Sequence, residues 1–233
     1  MFNAMCDTNE RTLEELRMLT DNIAHDLRTP LTRLGMAAES EATRYSPDGQ
    51  LPDIVMEEVS AMLEMINTML DISQTDAKID RAPRAELDLV AAVTAAIDLY
   101  QPLAEQNGIA LTGDTPACPV PFLGHREKIQ QLLGNLIENA IKFTPRNGRV
   151  KVSLAVVGEQ LVLQVADSGC GIAPSDLPYV FKRFWRADSS RSLPGNGLGL
   201  ALVKAIVTSY GGHIDCTSTL GTGTTFTIRI PCA

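Results

Sequence analysis

Asn135-Leu136-Ile137-Glu138-Asn139-Ala140-Ile141-Lys142-Phe143-Thr144 decides how the second half of this chain folds. With the residues before it, the stretch reads as a helix over 126–143. Ile129, Leu132, Leu133, Leu136, Ile137, Ala140 and Ile141 recur at three- and four-residue steps and make one continuous apolar face. Asn135, Glu138, Asn139 and Lys142 lie opposite. Asparagine costs roughly a few tenths of a kcal/mol relative to alanine inside a helix, so two of them one turn apart call for a reason beyond solubility. For Glu138 a solvated surface is reason enough.

Outward from this helix the pattern alternates between periods. A second helix is expected over 89–106 and a strand over 109–112. Val150–Val156 and Gln160–Ala166 alternate apolar and polar residues about Gly158-Glu159, the signal of a hairpin. A further helix is expected over 199–210 and a last hairpin from 213–218 and 224–230. Helices interleaved with antiparallel hairpins make an α+β sandwich, with helices on one face of a mixed sheet.

Two glycine-rich stretches punctuate that layout. In Asp167-Ser168-Gly169-Cys170-Gly171, a carboxylate at a strand end can accept a hydrogen bond from a purine amino group, and the glycines let backbone approach a ligand. A plain β-turn has the same composition. Gly195-Asn196-Gly197-Leu198-Gly199-Leu200 precedes a helix, whose first N–H groups can meet phosphates. A dinucleotide fold would need these glycines after the first strand of a βαβ unit, and no such strand precedes Gly195. Between the two stretches stand Phe181, Phe184 and Trp185 with Lys182, Arg183, Arg186 and Arg191. The aromatics are expected to pack; the cations are either solvated or phosphate-facing.

The first third of the chain has a different rhythm. Leu13, Thr20, Leu27 and Leu34 alternate with Leu16, Ile23, Pro30 and Ala37 as the a and d positions of a coiled-coil-like seam. His25, in His25-Asp26-Leu27-Arg28-Thr29-Pro30-Leu31-Thr32, falls at f, farthest from the seam, and Pro30 loosens the helix just beyond it. After the Pro- and Gly-containing loop 44–52, Val55, Val59, Met62, Ile66, Met69 and Ser73 repeat the spacing. One helical hairpin cannot bury stripes this wide, so two are expected to pair as a dimeric four-helix bundle. The polar segment 74–84 suits a hinge.

Composition narrows the functions available. Lys+Arg number 20 against 28 Asp+Glu, a net charge of −8, and no basic run could neutralise several phosphates of a nucleic acid. The five cysteines are odd in number, widely spaced and without a CxxC pair, so neither a disulfide framework nor a zinc site is expected. No stretch of about 18 apolar residues is present.

Four blocks, at His25, Asn135, Asp167 and Gly195, resemble in order the H, N, G1 and G2 boxes of sensor histidine kinases, and 181–186 resembles the F box and mobile ATP lid. The resemblance covers nearly the whole chain and implies an α helical hairpin followed by an α+β sandwich of the GHKL/Bergerat ATPase type. It implies the end of a HAMP-like linker over 1–9, a dimerisation and phosphotransfer domain over 10–76, a hinge over 77–85 and a catalytic, ATP-binding domain over 86–233.

The same resemblance makes His25 the phosphoacceptor, with Asp26 holding the other ring nitrogen's proton and Thr29 orienting water to dephosphorylate the partner. ATP and Mg²⁺ are the implied cofactors: Asn139 holds the metal, Lys142 meets phosphate, Asp167 reads adenine, and Asn135, Gly169, Gly171, Gly195, Gly197, Leu198, Gly199 and Leu200 complete the pocket. The implied partners are a second copy of the chain and a response regulator receiver domain. The implied setting is the cytoplasmic side of a membrane, reached through segments outside this chain. An ATPase of the same superfamily is the alternative, but such enzymes carry a water-activating glutamate one turn before the magnesium-binding asparagine, where this chain has Asn135. A catalytically silent scaffold is a second alternative, opposed by the intact pocket residues. Gly124-His125 departs from the family's frequent Gly-Asp, and His125 is expected at the surface. His213 is expected to be structural.

Overall fold

The computed structural model describes residues 83–187 and 196–232, together with Met62, residues 66–69 and Ile72. The chain divides into two compact units, Met1–Met69 and Leu70–Ala233. The expected first helix with His25, Asp26 and Thr29, the 44–52 loop, Arg191 and Gly195 lie outside the described residues. Within the stripe expected from Val55 to Ser73, Met62, residues 66–69 and Ile72 are helical.

In the second unit, β1 (Ala85–Asp88) runs straight into α1 (Leu89–Gln106). Asp88 makes the junction: its Oδ1 accepts from Val90 N and Val120 N, both at 3.0 Å. One bond caps the helix, a contribution of about 1 kcal/mol, and the other draws in the segment before β3 (Pro121–Gly124). β1 and β3 pair antiparallel as a separate two-stranded sheet, which the sequence did not announce.

The main sheet has five strands in the order β2-β4-β5-β7-β6. These are β2 (Ala110–Asp114), β4 (Arg149–Val157), β5 (Gln160–Asp167), β6 (His213–Thr219) and β7 (Gly223–Pro231). β2 pairs parallel to β4 and every other pairing is antiparallel, so the sheet is mixed as expected. Register places Val152, Val165, Phe226 and Cys216 in one row across four strands, and Val150, Asp167, Thr224 and Ser218 in another.

Alternation along the strands turns Val150, Val152, Leu154, Leu161, Val165, Ile214, Phe226, Ile228 and Ile230 into the core. Helices α1, α2 (Arg126–Phe143) and α3 (Gly199–Ser209) pack on this layer. The apolar face of α2 is its centre: Leu132, Leu133, Leu136 and Ile137 are each 1% exposed or less. Truncating any of them to alanine should cost about 2–5 kcal/mol through lost burial and the cavity left behind.

His125 is not at the surface. It is buried at the N-cap of α2, where Tyr210 Oη accepts its backbone N–H at 2.9 Å and lies 3.1 Å from Nδ1. His213 opens β6 as expected but is exposed, 3.0 Å from Asp215.

Candidate active site

The pocket is assembled around α2, whose polar side carries the two asparagines. The Asn135 amide nitrogen donates to Gln131 O in its own helix at 2.8 Å. Its Oδ1 faces the start of α3, where a Cβ on Gly199 would stand 2.3 Å away. Gly199 therefore lets the start of α3 come close to Asn135. Asn139, one turn on and half-buried, makes no side-chain hydrogen bond to any described residue, so its carboxamide is uncommitted. An uncommitted amide oxygen is a ligand type that Mg²⁺ accepts, since this ion takes few protein ligands and keeps phosphates and waters as the rest. Among the described residues no cluster of three or more His, Cys, Asp or Glu side chains is placed to hold a metal by itself.

The turn after β5 closes onto the other end of α2. Cys170 N donates to Phe143 O at 3.1 Å, and a Cβ on Gly169 would lie 2.4 Å from that same carbonyl. Gly171 has φ +69° and packs against Thr219 O, where a Cβ would come within 2.1 Å, so only glycine fits both the conformation and the space. The three sequence blocks at Asn135, Asp167 and Gly197–Leu200 thus meet along one helix.

Asp167 ends β5 and its carboxylate is shared. Oδ1 accepts from Gly169 N at 2.8 Å and Thr224 N at 3.1 Å, and neither bond uses Oδ2. Burial holds its pKa above the ordinary aspartate value, partly offset by those two N–H donors. Cys216 lies on the same side: burial first, and the Asp167 carboxylate second, push its thiol up to about 12.

Lys142, in the last turn of α2, is half-buried, and its pKa is lowered by burial and then by Arg186, with Glu138 acting the other way. Two cations brought together in a partly desolvated place favour an anion between them. Of the cations between the glycine blocks, Arg186 is thereby tied to the pocket.

At the start of α3, Gly197 has φ +69° and its carbonyl accepts from Phe184 N at 3.0 Å. Asn196 Oδ1 accepts from Leu198 N at 3.1 Å. The Leu198 side chain is fully buried, so only its backbone can face a ligand; Leu200 is half-buried. The first N–H groups of α3 have no acceptor within the helix, as at any helix start, and with the dipole they favour phosphate. Phe181 packs edge-on against Phe226 with centroids 6.2 Å apart, as expected for a core aromatic.

Sequence reasoning missed Thr224 and Ser218. Thr224 is buried, donates its N–H to Asp167 and shares a 2.9 Å hydroxyl contact with Ser218. Ser218 Oγ also accepts from Ile172 N and donates to Gly223 O, both at 2.8 Å. The available signal was Gly221-Thr222-Gly223, read only as a hairpin turn. Gly223 is a close approach as well, since a Cβ there would lie 2.0 Å from Asp167 O.

Residues 15–78 match the family described as His Kinase A (phospho-acceptor) domain, and residues 124–233 that described as Histidine kinase-, DNA gyrase B-, and HSP90-like ATPase. The chain belongs to the sensor histidine kinases. Among curated members it is 33% identical to histidine protein kinase DivJ of Caulobacter vibrioides over 216 residues, 90% of this chain and 36% of DivJ. It is likewise 33% identical to sensor histidine kinase WalK of Bacillus subtilis over 230 residues, 95% of this chain and 38% of WalK. The chain therefore spans well under half the length of these two relatives.

Solved sensor kinases share the architecture. Acinetobacter baumannii histidine kinase AdeS superposes with TM-score 0.74 at 28% identity, covering 89% of this chain and 98% of that one. Full-length ShkA in complex with AMPPNP gives 0.69 at 28% identity, covering 90% and 44%. ThkA in complex with response regulator protein TrrA gives 0.75 at 21% identity, covering 96% and 64%, a likeness of fold. The His Kinase A match over 15–78 takes in His25, Asp26 and Thr29, and the ATPase match takes in every described candidate pocket residue.

Proposed function

We propose that the chain transfers the γ-phosphoryl group of ATP to His25 and from there to an aspartate of a response regulator. In the first step a neutral imidazole nitrogen attacks phosphorus, the N–P bond forms, the bond to the β-phosphate oxygen breaks and ADP leaves. The chemistry is chiefly positioning and charge neutralisation. Histidine suits the task because its unperturbed pKa of about 6.5 leaves it largely neutral near pH 7. Asp26 keeps the proton of the other ring nitrogen and steadies the positive charge that develops.

In this reading Asp167 accepts a hydrogen bond from the adenine amino group through Oδ2, while Oδ1 holds the turn. Asn139 supplies an oxygen to Mg²⁺, which draws charge off the phosphates when bound. Lys142, assisted by Arg186, meets the phosphates, and the backbone at Gly195, Gly197, Leu198, Gly199 and Leu200 cradles them. Asn135 braces the cradle. Residues 10–76 form the dimeric phosphotransfer domain, 77–85 the hinge and 86–233 the catalytic domain. The partner class follows the family, and ThkA, which shares the fold, was solved with a response regulator. We place the protein on the cytoplasmic side of a membrane, where ATP and a regulator are at hand.

The observation that carries this reading is the contrast between the two asparagines, Asn135 bonded to Gln131 and close to Gly199 and Asn139 uncommitted beside them. It also weakens the ATPase alternative, because the position one turn before Asn139 holds an amide whose nitrogen is bonded to Gln131 O, with no carboxylate to activate water. Incubation with Mg-ATP labelled at the γ-phosphate decides between them: label retained on the protein supports the kinase, and stoichiometric release as free phosphate without a labelled protein supports the ATPase.

A further inference from the structure

Two helices build the phosphate side of the pocket, and they meet at both ends. At the pocket end they approach closely, since a Cβ on Gly199 would lie 2.3 Å from Asn135 Oδ1. At the far end the C-cap of α3, Tyr210, takes the backbone N–H of His125, the N-cap of α2, at 2.9 Å, with its oxygen 3.1 Å from Nδ1. From His125 to Asn135 is about 15 Å of helix and from Gly199 to Tyr210 about 16 Å, at 1.5 Å per residue. The two meeting points are thus matched in spacing along the helices, and α2 and α3 run antiparallel between them.

The far fastening is built rather than incidental. Tyr210 is 9% exposed and His125 6%. The Phe122 ring meets Tyr210 edge-on with centroids 5.0 Å apart. A Cβ on Gly124 would lie 3.3 Å from the Tyr210 oxygen and closer still to Phe122, so this glycine makes room for the ring. Arg84, at the head of β1, closes the outside. Its guanidinium stands 5.1 Å over the Tyr210 ring and donates to Ser209 O at 3.2 Å, at the end of α3 where a cation also complements the helix dipole.

We propose that Tyr210 is a positioning residue for the phosphate side of the nucleotide site. It fixes the register of α3 against α2, and so sets where the N–H groups at Gly199 stand relative to Asn139. Asp167 sits on the sheet and does not depend on this register. The inference rests on the reading of Asn139 and Gly199 given above, and it separates the two ends of the nucleotide: loss of the Tyr210 hydroxyl affects the magnesium-dependent hold on the phosphates, not adenine.

Calorimetric titration of the 233-residue chain with AMPPNP, with and without Mg²⁺, tests it on Tyr210→Phe and Arg84→Gln. Tyr210→Phe keeps the ring that packs on Phe122 and Arg84. Because misplacing a binding group by a fraction of an ångström is costly, its magnesium-dependent gain in affinity should fall about three- to fivefold, and that of Arg84→Gln about threefold, with magnesium-free affinity within about twofold of wild type. An unchanged magnesium gain in both variants overturns the proposal. So does a magnesium-free affinity that falls as far as the magnesium-bound one, since that marks general loosening. If Tyr210→Phe does not fold, Arg84→Gln decides by the same two criteria. A wild-type chain that binds AMPPNP but never labels His25 removes the kinase reading alone; one that binds no nucleotide ends both.

Discussion

Asp167 divides its carboxylate between structure and recognition, and the division has a pH signature. Burial raises its folded-state pKa above the unfolded value, so the folded chain holds this proton more tightly. The stability it contributes is present below the unfolded pKa and lost as pH rises through the folded one; at neutral pH the ionised group is tolerated for what it binds. Adenine affinity should then fall on acidification, starting above the ordinary aspartate range of about 3.9. Titrating AMPPNP affinity against pH checks this. Asp167→Asn should bind about tenfold more weakly at neutral pH, near the cost of one charge-assisted hydrogen bond, and show a flat profile; a profile like wild type would take adenine recognition away from Asp167. Asp167 and Asn139 were legible because each breaks a local rule, a carboxylate at a strand end before glycines and an asparagine in mid-helix. Thr224 and Ser218 were not, because only the strand register brings them beside Asp167. His125 was misjudged for a related reason: the Tyr210 hydroxyl that accepts its buried N–H lies 85 positions away along the chain.

At the scale of elements, Gly199 shows how a helix start can answer to another helix. Replacing a helical glycine by alanine ordinarily stabilises by roughly 0.5–1 kcal/mol. Here the added methyl would meet Asn135 Oδ1 at 2.3 Å, so the Asn135 amide has to swing aside from Gln131 O and Gly199→Ala should lose that gain rather than show it. Adding Asn135→Ala should recover part of that gain, a coupling that denaturant unfolding of the two single variants and the double variant measures. Additivity would show that the two helices do not lean on each other there. Helices and long hairpins were legible because their periods of 3.6 and 2 persist over seven residues or more. β1 and β3 were not: each has four residues, and β3 begins at Pro121 just after Pro119, so turn chemistry hides the strand.

At the scale of the whole molecule, the proposed function makes the nucleotide unit one half of a device whose other half carries His25. The seam that calls for a second copy runs through Ile66, which is 44% exposed in the single chain. Thr29, four residues beyond His25, falls on the same face of the expected helix, where its hydroxyl can place a water near a docked aspartyl phosphate. Thr29→Ala should keep autophosphorylation and slow dephosphorylation of the regulator by about 10- to 100-fold, the range lost when a positioned group is removed. Regulator dephosphorylation at wild-type speed would place water positioning elsewhere, and a parallel fall in both activities would make Thr29 a support for the helix. The central claim is that ATP held by Asn139, Lys142 and Asp167 is spent on His25. Incubating wild type and His25→Gln with Mg-ATP, then testing the label in acid and in base, addresses it directly. The expected result is an acid-labile, base-stable phosphoryl group on wild type and none on His25→Gln, which should still bind ATP; an acid-stable label, or one that persists in His25→Gln, would contradict it.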